Sequence, residues 1–174
     1  MTITRIASLD DAEELAELVR ASRDFLAPWE PIREAGFYTA AGQRFILEHN
    51  LEAYARGGMV PLVITDGGRI AGRININDVV RGAAQFAHIG YWLGAAHTGK
   101  GLASTALAEA VTHAFTVLDL HRLQAETLLH NTASHRVLAR NGFEPFGVAP
   151  RYLNIAGRWQ DHILFHLFNP AQAD

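Results

Sequence analysis

Three short stretches hold residues whose types and spacing can do chemistry. The first is Gly99-Lys100-Gly101, set between a strand-like apolar run and a helix-like run that opens Leu102-Ala103-Ser104. The first backbone N–H groups of a helix have no partner inside it, and flanking glycines let a charged ligand approach them. Such a site suits the pyrophosphate of a nucleotide cofactor. The second stretch is Asn131-Thr132-Ala133-Ser134, which opens a shorter helix with an amide and a hydroxyl. The third is Glu126, on the strand-like run just before it. A hydroxyl and a carboxylate beside a cofactor can serve as general acid and general base.

None of these residues carries a single meaning. A Walker A loop needs Ser or Thr after its lysine, whereas Lys100 is followed by Gly101. A dinucleotide fingerprint needs a third spaced glycine, which Ala103 and Ser104 do not supply. Gly99 and Gly101 can also do no more than shape a tight turn. Glu126 reads either as a base or as a solvated charge on an edge strand. Ser134 reads either as an acid or as a hydroxyl satisfying the first turn of its helix.

Composition narrows the chemistry. The 174 residues are 49% hydrophobic, enough for one domain (1–174) with a sizeable core. There is no cysteine, which excludes disulfides, thiolate metal ligands and an acyl-cysteine intermediate. A formal net charge of −3 gives no reason to expect nucleic-acid or anionic-membrane binding. No signal-peptide core or long apolar span appears, so the expected compartment is the cytoplasm. Nine histidines invite a metal reading. However, His162 and His166 fall on a strand, His130 and His135 lack a third ligand, and no metal is expected. His88 stands out only as a secondary base.

The elements that must position these residues follow from periodicity and punctuation. Thr2–Ile6 reads as a strand. Ser8 and Asp11 form a capping-box pattern before a helix with Ala12, Leu15, Ala16, Leu18 and Val19 on one face. Phe25–Tyr38 is aromatic-rich and irregular, and a helix follows over Ala40–Arg56. Met59–Thr65 and Arg69–Asp78 make a hairpin about Asp66-Gly67-Gly68. Gln85–Leu93 is a strand before the glycine loop. The next helix shows Ala103, Ala106, Leu107, Ala110, Val111 and Ala114 on one side. Arg122–Leu128 is a strand and Thr132–Arg140 a helix closed by Asn141-Gly142. Phe143–Gly147, Arg151–Ile155 and Trp159–Phe168 are the final strands. This order fits an α+β, three-layer fold with one mixed, mostly antiparallel twisted sheet and helices on both faces.

Several segments together are more specific than any one. Phe25-Leu-Ala-Pro-Trp-Glu-Pro31, Val79-Val-Arg-Gly82, Ile89-Gly-Tyr91 with Gly99-Lys-Gly101, Asn131-Thr-Ala-Ser134, Asn141-Gly-Phe143 and Gly157-Arg-Trp-Gln-Asp-His162 occur in order. With them the chain resembles the GCN5-related N-acetyltransferases (GNAT) over essentially its whole length. It is most similar to the branch that acetylates N-terminal residues of ribosomal proteins, especially the alanine acetyltransferases of ribosomal protein S5.

That resemblance implies acetyl-CoA as cofactor and a direct transfer to a primary amine, most simply the N-terminal α-amine of a protein. It implies that Tyr91, Trp92 and Leu93 pair with the pantetheine arm through backbone groups. Thr98, Gly99, Lys100, Gly101, Leu102, Ala103 and Ser104 would hold the pyrophosphate, and Asn131 the pantetheine or nearby backbone. Ser134 would protonate the thiolate and Glu126 would serve as base, with Glu30 and Asp161 in reserve. Phe25, Trp29, Glu30, Asn77 and Arg81 would line the acceptor groove, near Phe37 and Tyr38. Two positions depart from the pattern. Thr98 stands where relatives carry Gln or Arg, leaving His97 as a substitute. Val137-Leu-Ala139 occupies the region where many relatives place a catalytic tyrosine. A small-molecule amine or antibiotic as acceptor, and a non-catalytic acyl-CoA sensor, stay open as alternatives. So does a monomer or a homodimer paired through the last strand.

Overall fold

The computed structural model describes residues 2–172, and its core is organised by a seven-stranded sheet. Strands β1 (Thr4–Ile6), β2 (Val60–Asp66), β3 (Arg69–Val80), β4 (Phe86–Leu93), β5 (Arg122–Leu128), β6 (Glu144–Ile155) and β7 (Arg158–Phe168) lie in the order β1-β2-β3-β4-β5-β7-β6. Every neighbouring pair is antiparallel except β4 and β5. The helices are α1 (Ala12–Ala21), the single turn α2 (Arg23–Leu26), α3 (Ala40–Ala55), α4 (Leu102–Thr116) and α5 (Thr132–Arg140). The expected fold class is the observed one. Among the described residues no helix is long and apolar enough to cross a membrane.

Alternation along the strands divides the core between two faces. Ile74, Ile76, Ala87, Ile89, Leu123 and Ala125 pack with Ala106, Leu107 and Ala110 of α4 and Leu138 of α5. Val63 and Ile70 pack on the opposite side with Leu15 of α1 and Leu47 of α3. The small residues of α4 bring it close to the sheet, which sets the height of its N-terminus above β4. The anticipated capping box closes the 3-10 turn Leu9–Asp11 that leads into α1: the Ser8 N–H donates to the Asp11 carboxylate over 2.8 Å. Asp11 also receives Arg5 in a bidentate pair of 2.9 and 2.7 Å.

Two expectations need correction. Phe143–Gly147 and Arg151–Ile155 are one strand, β6, with irregular registers at Pro145/Gly147 and Ala149/Leu153. The second irregularity carries Arg151 at φ +49°, held by its N–H donating to Asp161 Oδ1 over 2.8 Å. A bulge interrupts alternation without ending a strand, so a reading by period splits it in two. The aromatic stretch after α1 is also more ordered than its prolines suggest. It holds α2 and 3-10 turns at Ala27–Trp29 and Ala35–Tyr38.

Candidate active site

The site begins where the sheet comes apart. β4 and β5 pair in parallel only over Phe86–His88 with Arg122–Gln124. Beyond that point β4 stays bonded to β3, through Gly72 opposite Leu93, while its other edge has no strand beside it. Backbone groups of Tyr91–Leu93 on that edge are open to a ligand. The chain then turns sharply. The Gly94 N–H donates to Ala71 O and the Ala95 N–H to the buried Ser22 hydroxyl, over 2.8 and 3.0 Å. A Cβ on Gly94 would lie 2.4 Å from Leu18 Cδ1, so a larger residue there would push the Leu18 side chain of α1 aside. Gly101 caps α4 at φ +79°, a left-handed conformation suited to glycine. The first bond of that helix is from Thr105 N–H to Gly101 O, so the N–H groups of Leu102, Ala103 and Ser104 have no helical partner.

Two clefts meet here. The first, about 540 Å³, runs from Phe25, Leu26 and Trp29 past Tyr91–Leu93 and Thr98 to Gly99, Gly101 and the first turn of α4. Its far wall is α5, with Asn131, Ser134, Arg136 and Arg140. On the α4 wall Ser104 Oγ is buried without a partner among the described residues. Asn141 joins the two helices that form the walls, since its Nδ2 donates to Ser104 O and Val137 O over 3.2 and 2.9 Å. The second cleft, about 530 Å³, lies on the α1 and α3 side of the sheet. Arg73, Asn75 and Asn77 of β3, Gly90 of β4 and Glu126 of β5 line it. Trp29, Glu30, Arg33 and Phe37 of the aromatic stretch line it too. Leu26, Trp29, Tyr91, Trp92, Asn131 and Ser134 belong to both clefts.

Electrostatics differ between the two. In the second cleft Glu126 accepts a short hydrogen bond from the His88 ring Nδ1. That bond raises the His88 pKa above its ordinary value, against a smaller opposing effect of burial. At the junction the Tyr91 hydroxyl donates to Ser134 O over 3.4 Å, and burial pushes the phenol up to about 12, so it stays neutral. Asn131 Oδ1 accepts the Ser134 N–H over 3.2 Å and so caps α5. Among the described residues, no group of three or more His, Cys, Asp or Glu side chains is arranged to hold a metal ion.

Residues 1–144 match the acetyltransferase (GNAT) domain. The chain belongs to that family. It is 35% identical over 170 residues to the ribosomal protein uS5 alanine N-acetyltransferase of Escherichia coli, covering 97% of this chain and 88% of that one. Among solved structures, Mycobacterium smegmatis RimJ in complex with CoA-disulfide superposes with a TM-score of 0.93 at 33% identity, over 98% of this chain and 83% of that one. The ribosomal-protein-S5-alanine acetyltransferase of Vibrio fischeri gives 0.92 at 31% identity, over 98% and 94%. The protein is an acetyl-CoA-dependent N-acetyltransferase. Its first cleft fits that cofactor. Unpartnered N–H groups at the α4 N-terminus suit a pyrophosphate, and the orphaned Ser104 hydroxyl and open edge of β4 suit the rest of an extended polar chain.

The acetyltransferase gathers most of the residues expected from its sequence. Thr98, Gly99, Gly101, Leu102, Ala103, Ser104, Tyr91, Trp92, Leu93, Asn131 and Ser134 all line the cofactor cleft. Lys100 does not, because its ammonium pairs with Asp66 Oδ2 at 2.7 Å. His97 Nδ1 meets the same oxygen at 3.0 Å, so it does not take over from Thr98. The Thr98 hydroxyl itself donates to Ala95 O over 3.1 Å. Glu126, Asn77, Trp29 and Glu30 line the second cleft, while Phe25 faces the first. Glu126 is not on an edge, since β5 lies between β4 and β7. Arg81 lines neither cleft. Its guanidinium donates to Leu118 O over 2.6 Å at the opposite end of the sheet, which corrects its expected role. Asp161 holds the β6 bulge rather than Arg158. Sequence reading missed Arg73 and Asn75. Their signal was present as the polar positions of the alternating run Arg73-Ile-Asn-Ile-Asn77.

Proposed function

We propose that this enzyme acetylates the N-terminal α-amine of a protein, with a ribosomal protein as the natural acceptor, in the cytoplasm. The observation that carries the reading is the meeting of two clefts at Tyr91, Trp92, Asn131 and Ser134, with Glu126 on the acceptor side. An acceptor groove of about 530 Å³, walled by Trp29 and Phe37 and floored by polar β3 side chains, offers the mixed surface a peptide end requires. The kinship with alanine N-acetyltransferases of ribosomal protein uS5 supports the same acceptor.

Acetyl-CoA supplies an activated acyl thioester. The residues of this chain divide the remaining work. An α-amine has a pKa near 8, so a single carboxylate suffices to take its proton. Glu126 faces the cleft and takes it, while His88, behind, donates Nδ1–H to the carboxylate and fixes its direction. Backbone N–H groups on the free edge of β4 would be available to the acyl oxygen of the bound thioester. The Ser134 hydroxyl, shared by both clefts, holds the proton needed on the sulfur side.

The test is acetyl-CoA turnover on peptides that differ only in their first residue, with the product read by mass. Acetylation of the α-amine, strongest for alanine, is the expected result. Turnover confined to small amines, or saturable acetyl-CoA binding without any product, would overturn it.

A further inference from the structure

Arg73 is the residue of the acceptor cleft that the reaction above leaves unused. It lies mid-strand on β3, opposite Val63 on one side and Trp92 on the other. It lines the cleft with only 6% of its surface exposed. Burying a charge without a counter-charge is expensive, and proteins pair such groups or leave them for a ligand.

No carboxylate among the described residues forms an ion pair with Arg73. Asp11 is close enough to favour its charge, but both Asp11 oxygens are already taken by Arg5, and one also accepts the Ser8 N–H. Among the described residues the one side-chain hydrogen-bond partner of Arg73 is neutral: Nη2 donates to Asn75 Oδ1 over 3.2 Å. Its Nε is buried with no partner at all. Burial pulls its pKa down to about 10, which leaves it protonated at neutral pH.

A backbone carbonyl from the acceptor would satisfy one N–H but leave the charge uncompensated. A carboxylate would answer both the charge and the forked geometry of the guanidinium. The geometry points to Arg73 as an acceptor-specificity residue that receives a carboxylate of the acceptor, so that preferred acceptors carry an acidic group close behind the reacting amine. This inference rests on the proposed acceptor reading and narrows it. Arg73 stands two strands and one pleat from Glu126. Because β5 has already parted from β4 at Glu126, the two residues stand at least two strand spacings apart, about 10 Å or more, which places the acidic group roughly two to four residues in from the amine.

The experiment compares C-terminally amidated peptides that begin with alanine and carry Glu or Gln at the second, third or fourth position. Tripeptides beginning with alanine, with a free or an amidated C-terminus, are run beside them. At one position the Glu peptide is expected to show a kcat/KM about tenfold or more above its Gln twin. In Arg73→Met that ratio should fall to about one, and in Arg73→Lys to an intermediate value. Acetyl-CoA affinity and thermal midpoint, measured on the same variants, show that they are folded. A Glu/Gln ratio near one in the native enzyme at every position, or a preference that survives Arg73→Met, would overturn the inference. If only the free-acid tripeptide is favoured, and Arg73→Met removes that preference, the carboxylate site stands and the protein-terminus reading falls. If no peptide is acetylated while small amines are, both fall.

Discussion

The two clefts are built from different materials. The cofactor cleft draws many of its free polar groups from backbone: the free edge of β4, the left-handed Gly99 and Gly101, and the unpartnered N–H groups that open α4. The acceptor cleft is made of side chains from β3, β5, α3 and the aromatic stretch after α1, with Arg73, Asn75, Asn77 and Glu126 as its polar floor. A backbone site tolerates change in every side chain that does not alter chain direction. A side-chain site can change its ligand one residue at a time. The fold thus holds one co-substrate constant while leaving the acceptor free to vary.

The sharpest test of that division is Glu126→Gln. It keeps the size of the side chain and a hydrogen-bonding group near His88 but removes the proton acceptor. We expect kcat/KM for the peptide to fall by about 10² to 10⁴, the usual worth of a positioned base. Acetyl-CoA affinity, measured by calorimetry, should be unchanged. An equal loss in both quantities would mean that the two clefts are not separable.

Gly101→Val attacks the other material. Its φ of +79° is costly for any residue with a Cβ and worst for a β-branched one. Its Cβ would meet nothing within 4 Å, so the effect comes from the backbone and not from a clash. A loss of about 1–3 kcal/mol in stability is expected. Affinity for acetyl-CoA should weaken roughly tenfold as the first turn of α4 reorients, taking one charge-assisted N–H contact as the unit of loss. The Glu/Gln peptide preference should survive among the molecules that still turn over. Its disappearance would show that the acceptor floor depends on the loop.

These outcomes also explain what could be read in advance. The cofactor cleft was legible because a backbone site needs contiguous chain: strand, glycines and helix start appear within Ile89–Ser104. Asn131 and Ser134 were legible for the same reason, as the opening of one helix. Of the acceptor floor, Asn77 and Glu126 came with the family resemblance while Arg73 and Asn75 were missed, because which face of β3 is turned to β5 is settled by register between elements far apart in sequence. Asn77 faces His88 across one strand pair and His88 faces Gln124 across the next. Arg81 was misplaced by the converse error. It lies four residues after Asn77, but Asp78 at φ +51° and the register shift between Asn77 and Val80 break the alternation that would have kept the two together. The continuous β6 was hidden by a bulge in the same way.

A smaller effect concerns the contact between His88 and Glu126 within the acceptor side. The carboxylate raises the His88 pKa, so the contact stabilises the fold fully below about 6.5, where unfolded histidine is also charged. That stabilisation fades as pH rises through the raised folded-state pKa. The difference in thermal midpoint between the native enzyme and His88→Gln should therefore be largest near pH 6 and shrink towards pH 9. A difference that grows with pH would reverse the sign and remove His88 as the cationic partner of Glu126.

The smallest expected effect is the most discriminating for placement. Arg81→Ala removes a donor to Leu118 O and a 3.3 Å contact with Gln85, both at the end of the sheet away from the clefts. Arg81 is exposed, so solvent can replace much of what is lost, and the thermal midpoint should drop by a few degrees at most, matching about 1 kcal/mol. Peptide KM should move by less than about twofold, since a surface change away from a site is worth within ~0.5 kcal/mol. Its neighbour in sequence, Asn77, lines the acceptor cleft, so the same truncation there should raise peptide KM by several-fold for one lost hydrogen bond. The pair of variants tests register directly. Four residues of sequence separate them, and the bulge between Asn77 and Val80, with the end of β3 at Val80, leaves one inside the site and the other outside it.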